Sequence, residues 1–342
     1  MNRISRAHPL VSGARRRVTV LLFSGLAIIA AAALWPPNSK SAPAVFPDRV
    51  MRVIVPFGAG GVADITVRIV VEKLGDILGQ RLFVENQPGA GGISAARSAL
   101  AAPADGYTLT LLTTGTAISV QLFKTFPFDP VKDFTPISML GYFDWIFAVN
   151  VASPVRTLSD FLKAAAQKPG ALNVGTVSVG SSQHLTAELF RSLAGADFTI
   201  VHYRTTPELI IALLRDDIQV VVDSYAALKS ALLDRKIRAI ASSSATRSEI
   251  LPDVPTVREN GIGGFEVISW NVLFAPAGTP PEFIAVLNQG LRKALADADV
   301  KKRLLELGIE AKPSTPEELR SQLQADITKW ARVIEQAGIP RQ

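Results

Sequence analysis

The sequence predicts a two-lobed α/β protein in which each lobe is a mixed sheet with helices on both faces. Short runs rich in β-branched residues alternate with helical runs in two separate rounds along the chain. Each round has its own glycine or serine loops where a strand meets a helix. The chain has 342 residues, whereas one hydrophobic core rarely serves more than about 250–300. Two lobes are therefore expected.

The first round follows a basic N-terminal segment. Runs with β-branched residues predict strands at residues 50–56, 81–85 and 107–113. Apolar residues at helical spacing follow the first strand, and an alanine-rich helix follows the second. This order of elements indicates parallel strands joined by helices.

The second round leads into a helical C-terminus. Thr279 and Thr315, each followed by proline, are predicted to cap two C-terminal helices. We expect the chain to cross between the lobes near Val149 and Ser269. Lobe 1 would then comprise residues 45–148 and 270–342, and lobe 2 residues 149–269. The further predicted strands are residues 143–151, 172–176, 198–203, 218–223, 237–242 and 267–275.

The first 44 residues have the pattern of a secretory signal peptide. They contain six Lys and Arg residues and no acidic residue, and an uncharged apolar run at residues 18–35 follows the arginines. Small residues at Ala42 and Ala44 predict cleavage after Ala44. A retained membrane anchor is the alternative, because the apolar run is close to the length that spans a bilayer. We therefore expect a periplasmic protein, exported by the general or the twin-arginine route.

Composition excludes several classes of function. Without the leader, 30 Lys and Arg residues balance 30 Asp and Glu residues, so no electrostatic case for nucleic acid binding remains. Cysteine is absent, which removes disulfides and thiolate metal sites. His184 and His202 are the histidines left after the leader, and their spacing matches no metal-ligand pair. We expect no metal and no cofactor.

Two glycine loops follow successive predicted strands and are candidate ligand sites. Glycines let a ligand approach the backbone, and the free N–H groups of a following helix suit an anion. Tight-turn glycines are the structural alternative for a single loop. The candidate residues are Phe57, Gly58, Ala59, Gly60 and Gly61 in the first loop and Gly89, Ala90, Gly91 and Gly92 in the second.

The first loop admits two further interpretations. Asp64 occupies a helix start, where it caps the helix or, alternatively, pairs with a ligand ammonium group. The run from Gly58 to Ala63 also fits the loose dinucleotide pattern, with Glu85 as the ribose acid of an NAD-linked oxidoreductase. Pro56 and Phe57 crowd that turn, and Asp64 would face the pyrophosphate.

A polar loop at Ser178, Ser181 and Ser182 precedes a helix in the second round. Its hydroxyl and N–H groups could hold carboxylate oxygens. A serine hydrolase with His184 as base is the rival, but there is no nucleophile-elbow motif, and Ser182 and His184 point to different helix faces. His184 is expected to be a structural donor, and the protein is expected not to be an enzyme.

Several motifs together resemble the Bug-type solute receptors of tripartite tricarboxylate transporters. The matching segments are Pro56-Phe57-Gly58-Ala59-Gly60-Gly61 with Asp64, Val84-Glu85-Asn86-Gln87-Pro88-Gly89-Ala90-Gly91-Gly92, Asp105-Gly106-Tyr107-Thr108-Leu109, Gly180-Ser181-Ser182-Gln183-His184-Leu185, Leu251-Pro252-Asp253-Val254-Pro255-Thr256 and Phe274-Ala275-Pro276-Ala277-Gly278-Thr279-Pro280. The resemblance covers nearly all of the chain after the leader. One departure is Val201-His202-Tyr203-Arg204-Thr205, where the family usually has Val-Pro-Tyr-Lys-Gly.

The resemblance implies a two-lobed, type II-like periplasmic binding protein that closes on a small carboxylate and serves membrane transporter subunits or a sensing partner. The carboxylate could be a dicarboxylate, a tricarboxylate, an aromatic acid or an acidic amino acid, and a monomer is expected. The resemblance adds Thr113, Thr114, Thr116 and Tyr203 to the candidate ligand-binding residues. If Tyr203 faces the cleft, strand alternation sends Arg204 to the other side.

Overall fold

The computed structural model describes residues 46–248 and 250–342. The predicted signal peptide lies outside these residues. Within the described ranges, no helix combines the length and apolar character needed to cross a membrane. The strands there are β1 (Met51–Val55), β2 (Leu82–Asn86), β3 (Thr108–Thr113), β4 (Phe134–Asp144), β5 (Ile146–Asn150), β6 (Asn173–Val177), β7 (Thr199–Tyr203), β8 (Val220–Asp223), β9 (Ile237–Ser242), β10 (Ile268–Pro276) and β11 (Glu310–Ala311).

Helices connect these strands and form the C-terminal end of the chain. A single 3₁₀ turn at Ala90–Gly92 lies directly before the second helix. The α-helices are α1 (Val62–Leu78), α2 (Ile93–Leu100), α3 (Thr114–Leu122), α4 (Leu158–Gln167), α5 (Ser182–Ala194), α6 (Thr206–Leu214), α7 (Tyr225–Leu233), α8 (Pro281–Ala296), α9 (Ala298–Leu305) and α10 (Pro316–Gln336).

Two mixed sheets organise the described chain, as predicted. The first sheet has the order β11-β4-β10-β3-β1-β2 and the second the order β7-β6-β8-β5-β9. In the first sheet β1 runs parallel to β2 and β3, while β10 runs antiparallel to β3 and β4. In the second sheet β6 is parallel to β7 and β8, and β5 is antiparallel to β8 and β9. Parallel neighbours place their carboxyl ends on one edge of each sheet, where ligands bind in open α/β sheets.

The apolar periodicity that predicted the helices also decides which faces are buried. The last helix, α10, buries Leu319, Leu323, Trp330 and Ile334 along one stripe. Its Asp326 accepts a hydrogen bond of 2.5 Å from the indole N–H of Trp270 on β10. The C-terminal helix is thereby fixed to the first sheet.

The chain passes between the two sheets at two places. Trp145 separates β4 of the first sheet from β5 of the second, and the return leads from β9 to β10. The predicted lobe boundaries at residues 149 and 270 state which residues move together as one rigid unit. They stay a prediction.

The sequence prediction missed most of β4 and all of β11. Pro136 and Gly141 interrupt the β pattern of β4, although its partner β10 covers it along most of its length. A Cβ atom at Gly141 would lie 2.6 Å from the carbonyl oxygen of Glu310. The glycine that weakens the strand signal is thus the residue that lets β11 pair with β4.

Candidate functional site

Two adjoining cavities lie between the carboxyl ends of the two sheets. The larger has an empty volume of about 400 Å³, which includes space open to solvent. The smaller has about 220 Å³, and Phe57 and Thr113 line both. The larger cavity is lined by Phe57, Gly58, Gly61, Val62, Ala63, Thr113, Phe143, Trp145, Val177, Ser182, Gln183, Arg204, Thr205, Thr206, Ser269 and Asn271. The smaller is lined by Pro56, Phe57, Gly89, Gly91, Gly92, Thr113, Gly115, Thr116, Ser178, Val179, Gly180 and Ser181.

The first glycine loop gives the larger cavity the uncapped start of α1. Gly61 is the N-cap residue and has no side chain to accept a hydrogen bond. The first-turn N–H groups of Val62 and Ala63 donate to no other described residue. An uncapped helix start carries partial positive charge and attracts an anion.

Two helices of the second lobe begin at the same cavity. The N-cap Ser181 of α5 accepts from the His184 N–H, which leaves the N–H groups of Ser182 and Gln183 without a described acceptor. At α6, Thr205 accepts from the Glu208 N–H, and the Thr206 N–H is likewise unpaired within the described chain. Three helix N-termini therefore converge on one cavity, and among its described lining residues none is acidic.

Asp64 shapes the first loop and does not line either cavity. Its carboxylate accepts hydrogen bonds from the Gly60 N–H at 3.0 Å, Arg68 Nε at 2.9 Å and Asn86 Nδ2 at 3.0 Å. Burial acts to raise the pKa of Asp64, but these hydrogen bonds outweigh it and lower the pKa. Gly60, at φ 84°, supplies the left-handed turn that presents its N–H to this carboxylate. The described contacts of Asp64 thus favour its structural interpretation.

A fully buried carboxyl, Asp223, supports the wall of the larger cavity. Thr206 Oγ1 and the Ser224 N–H donate to it at 2.7 Å, and Gln183 Nε2 donates at 3.4 Å. Burial raises the pKa of Asp223 to about 6, although the hydrogen bonds act in the opposite direction. Because Thr206 and Gln183 both line the cavity, Asp223 fixes the side chains of two residues that face a ligand.

The two halves of the site are in close contact through small residues. The Gly91 N–H donates to the Val179 carbonyl at 2.9 Å, and Ser182 Oγ lies 2.9 Å from Ser269 Oγ. A Cβ atom at Gly58 would lie 2.4 Å from Thr205 Cγ2. The structure therefore has the two lobes closed over the cavities.

The rival catalytic interpretations lack the contacts they require. The His184 ring accepts from the Gly180 N–H at 3.2 Å through Nδ1, so its other nitrogen, 3.4 Å from Glu188, carries the proton. Both of these contacts of the His184 ring are made within α5 and the loop before it. Glu85, the proposed ribose acid, accepts from Arg52 at 2.7 Å and from Gln87 at 2.6 Å. No cluster that could hold a metal ion occurs within the ranges that the structure describes.

Most predicted ligand-binding residues meet at these cavities, and six do not line them. The Thr114 hydroxyl accepts from the Trp270 N–H at 3.0 Å, and the Tyr203 side chain packs with the hydrophobic core of the second lobe. The residues outside the two linings are Ala59, Gly60, Asp64, Ala90, Thr114 and Tyr203. The expectation for Arg204 depends on Tyr203 facing the cleft, and that condition is not met, because Arg204 lines the larger cavity and Tyr203 lines neither.

Sequence reasoning missed the cavity residues contributed by the crossing segments. Trp145 forms the first crossing and Phe143 lies shortly before it, while Ser269 and Asn271 follow the second. The predicted crossings near Val149 and Ser269 were the available signal, because a segment that connects two lobes must run past the cleft between them.

Comparison with known proteins gives consistent matches over most of the chain. The family model described as the tripartite tricarboxylate transporter family receptor matches residues 66–339. A curated relative, the "UPF0065 protein in tcbD-tcbE intergenic region" of Pseudomonas sp. (strain P51), is 32% identical over 84% of this chain and 86% of its own length.

Solved structures with the same fold include two proteins from Rhodopseudomonas palustris. Rpa4515 with adipate is 31% identical, with a TM-score of 0.83 over 86% of this chain and 99% of that one. MatC with bound malate is 33% identical, with a TM-score of 0.80 over 84% of this chain and 100% of that one.

Proposed function

This chain belongs to the tripartite tricarboxylate transporter receptor family, and on that premise we propose that it captures a small carboxylate by closure of its two lobes. The observation that carries the proposal is the convergence of unpaired N–H groups at the starts of α1, α5 and α6 on one cavity. Such groups bind a carboxylate through their hydrogen bonds and their partial positive charge. Two relatives of known structure contain adipate and malate, which supports this ligand class.

The rest of the larger cavity suits the carbon skeleton of a small ligand. Phe57, Val62, Phe143, Trp145 and Val177 provide apolar surface beside the N–H groups. Arg204 is the charged side chain among the described residues that line this cavity, and it is exposed. We therefore assign charge recognition to the backbone and shape recognition to the aromatic and aliphatic side chains.

The same proposal includes export and delivery. The leader, with its basic head, apolar run and Ala42-Pro43-Ala44, supports cleavage after Ala44 and a periplasmic location. Membrane subunits of a transporter are then the partners that would receive the ligand. Mass spectrometry of exported material should give a chain that begins at Val45, whereas soluble protein that keeps Met1 would contradict export.

A thermal-shift screen of the purified protein tests ligand capture. The panel consists of mono-, di- and tricarboxylates with their uncharged amides as controls. A bound ligand stabilises the folded state by about 2.7 kcal/mol at a hundredfold excess over Kd, so at least one carboxylate should raise the melting temperature by several degrees. A panel without any stabilising carboxylate would overturn the proposal.

A further inference from the structure

Two buried polar atoms at the larger cavity have no hydrogen-bond partner in the described structure. They are Nε1 of Trp145, a donor, and Oδ1 of Asn271, an acceptor. Each residue is 1% exposed, and both line the cavity. A buried polar group without a partner is costly. A donor and an acceptor that lack partners, on two residues that line one cavity, therefore point to polar groups that the ligand supplies.

The orientation of the Asn271 amide is fixed by its neighbour. Thr66 Oγ1 donates its proton to the Val62 carbonyl at 2.6 Å and accepts from Asn271 Nδ2 at 3.1 Å. A flipped amide would place two acceptors against each other, because the single hydroxyl proton of Thr66 is already used. Asn271 therefore keeps its oxygen for another donor.

A carboxylate cannot satisfy Asn271 Oδ1, because an ionised carboxylate is an acceptor only. The ligand needs a donor at this place, and a hydroxyl or an ammonium group would supply one. An ammonium ion buried here would meet no acidic side chain in the described lining of either cavity, and the carboxyl of Asp223 lies behind Thr206 and Gln183, which donate to it. Asp64 is occupied by Arg68 and Asn86 outside the cavity.

We propose that the ligand is a hydroxylated carboxylate whose hydroxyl donates to Asn271 Oδ1 while one of its oxygens accepts from Trp145 Nε1. This inference rests on the proposed function and narrows its ligand class. The apolar lining accommodates the carbon skeleton, and the unpaired N–H groups take the carboxylate. The family resemblance leaves acidic amino acids and unsubstituted dicarboxylates open as ligands. We expect both to bind more weakly than the hydroxylated carboxylate.

Calorimetric titration with matched triples of compounds tests the proposal. Each triple differs at one carbon: succinate, malate and aspartate; glutarate, 2-hydroxyglutarate and glutamate; 3-phenylpropionate, phenyllactate and phenylalanine. In every triple that binds, the hydroxy acid should bind at least tenfold more tightly than both other members, because a site built to pair a hydroxyl discriminates against ligands that lack it.

Two variants assign the effect to the named atoms. Asn271→Asp keeps the side-chain shape and adds a negative charge, so the affinity ratio of amino acid to hydroxy acid should rise at least tenfold. Trp145→Phe removes the N–H and should weaken the hydroxy acid about tenfold. Trp330→Phe is the control and should leave binding unchanged. It makes the same change at a buried tryptophan on α10, outside the cleft.

The outcomes separate this inference from the proposed function. If no member of any triple binds and no carboxylate of the thermal-shift panel binds, the proposed function itself fails. If only carboxylates without a hydroxyl bind, the inference alone is overturned. If triples bind but the unsubstituted or amino members match the hydroxy acid within threefold, a bound water satisfies Asn271 and the inference is overturned. It is equally overturned if the hydroxy acid is preferred but neither Asn271→Asp nor Trp145→Phe changes its binding relative to Trp330→Phe.

Discussion

The backbone N–H of Gly91 donates to the carbonyl oxygen of Val179 at 2.9 Å, which joins the second glycine loop of the first lobe directly to the serine loop of the second. The approach is possible because side chains are missing on both sides. A Cβ atom at Gly180 would lie 3.3 Å from Gly91 Cα, and one at Gly115 would lie 3.0 Å from the Gly180 carbonyl oxygen. Closure at this end of the cleft is thus a contact between backbones.

A side chain at Gly91 should impair this closure. A Cβ atom there would lie 3.0 Å from Phe123, 3.1 Å from Phe126 and 3.2 Å from Ser119 Oγ, all in the first lobe, so the loop has to shift and the Gly91 N–H moves away from the Val179 carbonyl. We expect Gly91→Ala to weaken ligand binding at least tenfold in calorimetric titration. Gly79→Ala is the control: Gly79 has a similar φ of 68° but no atom within 4 Å, so it carries the same backbone strain of about 1–2 kcal/mol. Equal affinities of the two variants would contradict the role of Gly91.

The contact between Gly58 and Thr205 should be equally sensitive. A methyl group at Gly58 would overlap Thr205 Cγ2 in the closed form, where the distance is 2.4 Å. Gly58→Ala is expected to reduce affinity at least tenfold. Thr205→Ser removes that Cγ2 but keeps the hydroxyl that caps α6, so the double variant should recover part of the loss. A double-mutant cycle measures the coupling, and additive losses would show that the two residues do not meet on closure.

Asp223 should make a defined contribution to the pH dependence of stability. Because its pKa is raised from 3.8 to about 6 in the folded state, the folded protein holds the proton more tightly than the unfolded chain does. The contribution of Asp223 to the free energy of unfolding is fully present below pH 4 and is lost as the pH rises through 6. The difference between the two pKa values corresponds to about 3 kcal/mol.

Asp223→Asn, which cannot titrate, isolates that contribution. Urea unfolding of the original protein and the variant between pH 4 and pH 7 gives the difference in unfolding free energy at each pH. Relative to the variant, the original protein should lose stability as the pH rises, mostly between pH 4 and 6. A constant difference across that range would mean that the Asp223 carboxyl has an ordinary pKa.

Arg204 tests whether charge is recognised by the backbone. It lines the larger cavity but is exposed, whereas the N–H groups of Val62, Ser182 and Thr206 lie at buried positions. We expect Arg204→Ala to weaken carboxylate binding less than tenfold, measured by calorimetry at two salt concentrations. A loss of a hundredfold or more would indicate that the guanidinium is the principal anion-binding group.

The sequence allowed prediction of the loops but not of every side chain that completes the site. Gly58, Gly91 and Ser182 follow predicted strands, and the carboxyl ends of parallel strands meet at one edge, so their convergence could be inferred. The orientation of Tyr203 and Arg204 could not, because strand alternation separates two neighbours without telling which one faces the cleft. The positions of the Trp145 and Asn271 side chains depend on how the crossing segments pass the cavity. The packing of the two lobes determines that path, and the sequence pattern does not show it.

Small-angle scattering with and without a stabilising carboxylate tests the central claim most directly. The structure has the lobes in contact through Gly58 with Thr205 and Gly91 with Val179, so the ligand-saturated protein should match this compact form. Without ligand the lobes should separate about the connections between the sheets, as in other hinged binding proteins, and the radius of gyration should be larger. A radius of gyration that stays the same at saturation, with binding confirmed by calorimetry in the same sample, would contradict capture by lobe closure.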